Sequence, residues 1–255
     1  HKSRKVEGKI KTVTVKRMPT GDMYIFIVTD SVTERATRVP GETPGNAPSS
    51  IGVVTGKIAG FDFGLKTFLT NSNGRDIQSP LFLLKARSQL RKLSQELSSK
   101  KLGSNNSNKA RLRLARFHQD IVNKRRNWFW NLSHKLCDTY DLMCFETLNL
   151  KGMQRLWGRK IGDLAMASFL EILQTVAAIK GKLVVFVGQW FASSKLCSKC
   201  GHKHNGLQLR DRFWNCPSCN TRHNRDKNAS INIQREGASS LNLDIVRQPL
   251  VASVA

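Results

Sequence analysis

Residues 9 to 29 alternate between apolar and polar side chains. Val13 and Val15 precede Pro19-Thr20-Gly21-Asp22, and Tyr24 and Phe26 follow it. Period-two runs on either side of a Pro/Gly turn predict a β-hairpin. Residues 31–56 carry Pro40-Gly41, Pro44-Gly45 and Pro48-Ser49-Ser50, which predicts a linker with little regular structure. The hairpin, within residues 1–30, is therefore expected to end an N-terminal β subdomain. Next come an apolar strand, Ile58 to Gly64, and a second, Thr67 to Thr70, before a Ser72-Asn73-Gly74 turn. These read as adjacent antiparallel strands. Two helices follow, split by Gly103-Ser104-Asn105-Asn106. On the second, Leu114, Phe117, Ile121, Trp128, Leu132 and Leu136 fall in one stripe about 100° wide. The strand Leu142 to Phe145 ends in Glu146, and a helix is expected across 162–180. After it come a strand Leu183–Val187, a cysteine segment at 197–219, a last helix Asp226–Gln234 and a weakly patterned tail at 237–255.

Composition adds a charge imbalance to this α/β pattern. Of 255 residues, 42 are Lys or Arg and 18 are Asp or Glu, a formal charge of +24. Such a surplus attracts polyanions. Fourteen Lys/Arg and two acids lie between Lys85 and Lys135, so a net +12, half the total, falls in the helical hairpin expected at 81–138. Arg111, Arg113, Arg116, Lys124, Arg125 and Arg126 lie off its apolar stripe, an arrangement suited to backbone phosphates. No run of eighteen apolar residues is present, so no transmembrane helix and no membrane partner are expected. The chain opens His-Lys-Ser-Arg-Lys, which is neither an initiator Met nor a signal peptide, and reads as the back part of a longer protein.

Four of the six cysteines form two Cys-x-x-Cys pairs, Cys197/Cys200 and Cys216/Cys219, fifteen residues apart. That spacing closes a tetrahedral structural Zn²⁺ site, with Zn–S at about 2.3 Å, and fits a reducing compartment, the cytoplasm, better than disulfides. His202, His204 and His223 are nearby alternatives, although four thiolates already complete the set. Cys137 and Cys144 read as packing residues. Lys195, Arg212 and Trp214 belong to basic and aromatic residues interleaved through the segment, a pattern that binds phosphates and stacks bases.

Acids are scarce, so their positions are informative. Asp62 interrupts an apolar strand, Glu146 ends another and Asp226 opens a helix. Strands about 4.8 Å apart let such groups converge, and two Mg²⁺ ions about 3.5–4 Å apart would neutralise them and promote phosphodiester hydrolysis. Taken singly, Asp226 also reads as a helix cap and Glu146 as a strand-end charge.

Four strings occur in order: Gly60-Phe61-Asp62-Phe63-Gly64-Leu65-Lys66; Phe145-Glu146-Thr147-Leu148-Asn149; Ser193-Ser194-Lys195-x-Cys197-Ser198-x-Cys200-Gly201; and Arg225-Asp226-x-Asn228-Ala229-x-x-Asn232-Ile233. Together they resemble the TnpB (OrfB) family of bacterial insertion sequences, compact relatives of type V CRISPR nucleases. The resemblance implies an RNase H-like (RuvC) core at 57–194, carrying the helical hairpin, a zinc ribbon at 195–222 and a final RuvC segment at 223–236. It implies that Asp62, Glu146 and Asp226 are catalytic, and that the protein is an endonuclease whose partners are a guide RNA and a DNA target. Thr147 and Asn224 stand where the family often has Asp. A non-cutting RNA-guided repressor and a strand-joining transposase are the alternatives. The presence of all three acids speaks against the first, and product analysis separates the second.

Overall fold

The structure is a computed structural model that describes residues 8–30, 56–74, 76–148, 162–208 and 210–241, together with Val6, Arg155 and Gly158. Most of the expected linker and most of the tail lie outside these residues. The chain forms two compact units, one of His1–Ser50 with Leu81–Trp128 and the other of Ile51–Pro80 with Phe129–Ala255.

The first unit contains the expected hairpin. Strands β1 (Ile10–Arg17) and β2 (Met23–Thr29) pair antiparallel, with Val13 opposite Ile27 and Val15 opposite Ile25. Gly21 turns the chain at φ +87°, a conformation that favours glycine, and Thr20 Oγ1 donates to Asp22 at 2.7 Å. Helix α1 (Phe82–Ser98) and the start of α2 (Asn105–Thr139) complete the unit. Ser104 caps α2 by accepting the Ser107 amide at 3.1 Å. An Arg113–Glu96 ion pair at 2.6 Å ties the two helices together.

The second unit is built on a four-stranded sheet in the order β4-β3-β5-β6. Its strands are β3 (Ile58–Phe63), β4 (Leu69–Asn71), β5 (Leu142–Glu146) and β6 (Leu183–Val187). As expected, β3 and β4 are antiparallel, while β3, β5 and β6 run parallel. Successive strand residues face opposite sides, so the sheet sorts its own chemistry. Phe61 and Phe145 stack at 5.0 Å on one side. Phe63, Phe68, Phe129 of α2 and Phe169 extend this aromatic core, with Phe68 at 5.2 Å from Phe169 and 5.9 Å from Phe129. Phe169 belongs to α3 (Met166–Lys180), which is shorter than the helix expected from 162, because Ala165 takes a left-handed conformation. Gly162–Lys180 is long and apolar enough to cross a membrane, but Met166, Phe169, Ile172, Leu173, Val176 and Ala177 are buried in the protein. Core packing accounts for that apolarity.

The other side of the sheet receives α4 (Arg225–Ser239), and glycines set the closeness of approach. A Cβ on Gly60 would lie 2.1 Å from Ser230 O and 2.5 Å from Gln234 N. A Cβ on Gly237 would lie 2.5 Å from Cys144 Sγ. This explains why the helix runs five residues past Gln234 instead of yielding to a tail at Gly237. There, glycine serves a contact with β5 and does not stop the helix. Gly60→Ala is expected to destabilise the protein by about 1–3 kcal/mol through overpacking, read as a lower denaturation midpoint. An unchanged midpoint would show that α4 does not press on β3 this closely.

Candidate active site and metal centre

Gly60 and Asp62 point to the same side of β3, because they are two residues apart. Cys144 and Glu146 share the corresponding side of β5, and Gly60 and Cys144 are register partners. Both acids therefore stand at the ends of adjacent parallel strands, on the face covered by α4. Asp226 enters from the first turn of that helix. Asn224, not Asp226, is the helix cap, since its side chain accepts the Lys227 amide at 3.0 Å. Asp226 is thus released from the capping role that its position alone suggested.

Asp62 senses both of the other acids. Burial pushes the Asp62 carboxyl well above the usual carboxylate range, and the charges of Glu146 and then Asp226 push it further. The guanidinium groups of Arg225 and Arg212 oppose that rise. Burial also raises Glu146, against a hydrogen bond from Ser193 Oγ at 3.5 Å. Asp226 is held by Arg212, whose Nη1 lies 2.9 and 3.2 Å from its two oxygens, and by Arg225 Nε at 3.5 Å. The three carboxylates do not reach the mutual spacing of a closed metal-ligand group, which among the described residues only the four cysteines do. They nevertheless form an all-oxygen donor set under mutual repulsion, and that chemistry fits Mg²⁺.

The thiols of Cys197, Cys200, Cys216 and Cys219 all lie within 4.8 Å of one another, and none is in a disulfide. Cys197 to Cys219 and Cys200 to Cys216 are each 3.6 Å apart. Tetrahedral Zn–S bonds of about 2.3 Å require S···S edges of about 3.8 Å, so this donor set fits zinc. Two small strands, β7 (Phe213–Asn215) and β8 (Arg222–Asn224), carry the second knuckle, and β8 reaches two residues beyond the expected ribbon boundary. His223 Nε2 approaches Cys197 Sγ at 3.0 Å, which places it as an outer partner of a thiol. Asn228 and Asn232 of α4 bind the ribbon's backbone. Asn228 accepts the Ser198 amide at 2.9 Å, and both side-chain amides donate to Leu196 O at 2.7 Å. The cysteine segment and Asp226 therefore share one helix as their frame.

The residues expected to contact nucleic acid separate into several groups. Arg111, Arg113, Arg116, Lys124 and Arg126 are exposed on α2, and Arg125 is half-buried. Arg113 and Lys124 spend part of their charge on Glu96 and on Asp120, at 2.6 and 2.8 Å. Lys195 is half-buried beside the first knuckle. Arg212 faces Asp226, so it belongs to the acidic centre. Trp214 overturns the expectation of base stacking. It is only 6% exposed, packed between His223 at 4.8 Å and His204 at 5.5 Å in the core of the ribbon. The adjacent Phe213 is the exposed ring, with the Arg222 guanidinium 5.4 Å above it.

Fold and site define a mixed α/β protein that sets three acids beside a four-cysteine segment. A family model described as "Probable transposase" (OrfB_IS605) matches residues 49–156, and one described as "Cas12f1-like, TNB domain" matches 167–233. The chain is 31% identical over 90% of its length to a "Putative RNA-guided DNA endonuclease" of Streptomyces pristinaespiralis, covering 53% of that protein. It is 28% identical over 69% of its length to "Putative RNA-guided DNA endonuclease Rv2885c" of Mycobacterium tuberculosis, covering 41% of it. "Putative RNA-guided DNA endonuclease InsQ" of Escherichia coli is 25% identical over 94% of the chain, which covers 60% of that protein. The chain thus spans about half the length of these relatives. Its fold is similar to that of a Cas12f1 chain solved with sgRNA and target DNA, with a TM-score of 0.50 and 18% identity over 87% of this chain and 55% of that one. The chain belongs to the TnpB/OrfB family.

Proposed function

We propose that this chain is the catalytic portion of a Mg²⁺-dependent DNA endonuclease of a bacterial insertion sequence, directed to its target by an element-derived RNA. The observation that carries the reading is the convergence of Asp62, Glu146 and Asp226 on one face of the four-stranded sheet, close enough for two of them to raise the pKa of the third. In this reading the sheet and α4 are a RuvC-type core, and the cysteine segment is a zinc ribbon inserted before its last helix. The relatives' names and the nucleic-acid complex of the structural neighbour support DNA and guide RNA as partners.

Asp62 and Asp226 would hold Mg²⁺, and Glu146 would complete the site. Bound Mg²⁺ supplies a polarised water and charge stabilisation for the leaving oxygen. The protein's own groups prepare for this. Ser193 fixes the Glu146 carboxylate by hydrogen bonding. Arg212 brings a positive charge to Asp226, where a phosphate diester must approach. The basic face of α1 and α2 supplies backbone grip without reading sequence, which is left to base pairing. Zinc, held by Cys197, Cys200, Cys216 and Cys219, would act structurally.

The test is incubation of the chain with Mg²⁺ and end-labelled single-stranded DNA. Internal breaks that disappear when Mg²⁺ is omitted from the zinc-loaded protein are expected. Metal-independent cutting, joined strands without simple breaks, or intact DNA would contradict the proposal.

A further inference from the structure

Trp190 is 92% exposed, an unusual state for a side chain with this much apolar surface. Its place in the fold gives that exposure a purpose. It follows Val187, the last residue of β6, by three residues, or at most about 11 Å of chain. Val187 is the register partner of Glu146 on β5, and its carbonyl accepts the Thr147 amide at 3.0 Å. Beyond Trp190 the chain returns to the same acid, because Ser193 donates to Glu146. Backbone hydrogen bonds close the turn between Val187 and Ser193. Phe191 N donates to Gly188 O at 3.0 Å, Ser193 N to Phe191 O at 2.8 Å, and Asn232 of α4 to Ser193 O at 2.8 Å. A hydrogen-bonded turn with both ends beside Glu146 therefore presents an indole to solvent. No Asp or Glu occurs between Glu171 and Asp211, whereas Lys180, Lys182, Lys195, Lys199, Lys203 and Arg210 do. That charge balance tolerates a phosphate chain running past the ring.

We infer that Trp190 is a stacking platform for a nucleobase of the single strand being cut, and that it positions the strand beside the acidic centre. The inference rests on the nuclease reading above and adds to it how the strand is registered. Every base offers a π-face, so such a platform is indifferent to sequence, as suits an enzyme that leaves sequence to a guide. Trp190 acts here as a positioning residue.

The test measures anisotropy of labelled oligonucleotides with the zinc-loaded protein in buffer free of Mg²⁺ and of chelator, so that binding is read without cutting. Wild type, Trp190→Ala and Trp190→Phe are compared on a single-stranded oligonucleotide and on a strand of equal length in which every base is absent. Because the ring is almost fully exposed, its removal leaves the core untouched. Trp190→Ala is expected to bind the base-bearing strand about 5- to 150-fold more weakly, the range for loss of one stacked base. Trp190→Phe should stay near wild type, and all three proteins should bind the abasic strand alike. Equal affinity of wild type and Trp190→Ala for the base-bearing strand would overturn the inference, as would an equal loss on the abasic strand. If wild type binds neither strand, the nuclease reading itself falls and takes this inference with it.

Discussion

Asp62→Ala is expected to lower the rate of DNA cleavage by about 10³-fold or more while nucleic-acid affinity stays within a few-fold. A catalytic metal contributes several kcal/mol of charge stabilisation in the transition state, and about 4 kcal/mol corresponds to that factor. Asp62 is the central member of the acidic group, since its carboxyl senses both of the others. Binding survives because the basic residues of α1 and α2 lie outside that group. The milder Asp62→Asn should remove cleavage equally and, in Mg²⁺-free buffer with zinc retained, should raise the denaturation midpoint. The sign follows from the raised carboxyl pKa in the folded protein. Below about pH 4 both folded and unfolded chains hold the proton. As pH rises from there, the unfolded chain loses it first, so stability falls until the raised folded pKa is passed. The penalty is therefore present above the unfolded value, and the asparagine abolishes it. Cleavage by Asp62→Asn near the wild-type rate, or a lower midpoint in Mg²⁺-free buffer with zinc retained, would contradict this assignment.

Removing the metal from the cysteine segment should have the second large effect. Four thiols brought to 3.6 Å contacts have little else to hold them, since the core of the segment is small: Cys197, Leu207, Trp214 and Cys216, with Cys219 packed on it. Structural zinc supplies about 10–16 kcal/mol of apparent folding free energy in isolated zinc-finger peptides, so a strong chelator, or Cys216→Ser, is expected to unfold the segment. Hydrogen exchange reads this directly. The amides of Cys197, Gly201, Cys216 and Asn220, which close the two knuckles, should lose protection. Those of β3 and β5 should keep theirs, because the sheet has its own aromatic core. Cleavage should fall with the knuckles, since Arg212, which reaches Asp226, immediately precedes β7, the strand that leads into the second knuckle. Unchanged knuckle protection after chelation would show that the segment does not depend on metal.

Much of this arrangement was legible in the sequence, for identifiable reasons. Asp62 stood out because an acid inside an apolar strand has few structural uses. The structure places it beside Glu146 and Asp226, as the ends of adjacent strands and a helix allow. The cysteine spacing translated directly into four clustered thiols. Trp214 was misread because β7 is only three residues long, too short for alternation to say which aromatic faces inward. Burial chose Trp214 and left Phe213 outside. The end of α4 was misplaced because Gly237 carries a stop signal locally, whereas its contact with Cys144 is visible only in three dimensions. Likewise, Arg212 read as one more phosphate-binding base, because nothing local announces a partner fourteen residues away. Ala165 carries no sequence mark of its left-handed turn.

The central claim is that Asp62, Glu146 and Asp226 together hold a divalent cation. Mn²⁺ accepts the same oxygen ligands as Mg²⁺ and its free form is counted by electron paramagnetic resonance. The decisive measurement titrates Mn²⁺ into the zinc-loaded chain and into the triple variant Asp62→Asn, Glu146→Gln, Asp226→Asn. The account predicts that the wild-type chain removes Mn²⁺ from solution at a saturable site that the triple variant lacks. Equal uptake by the two proteins would contradict it.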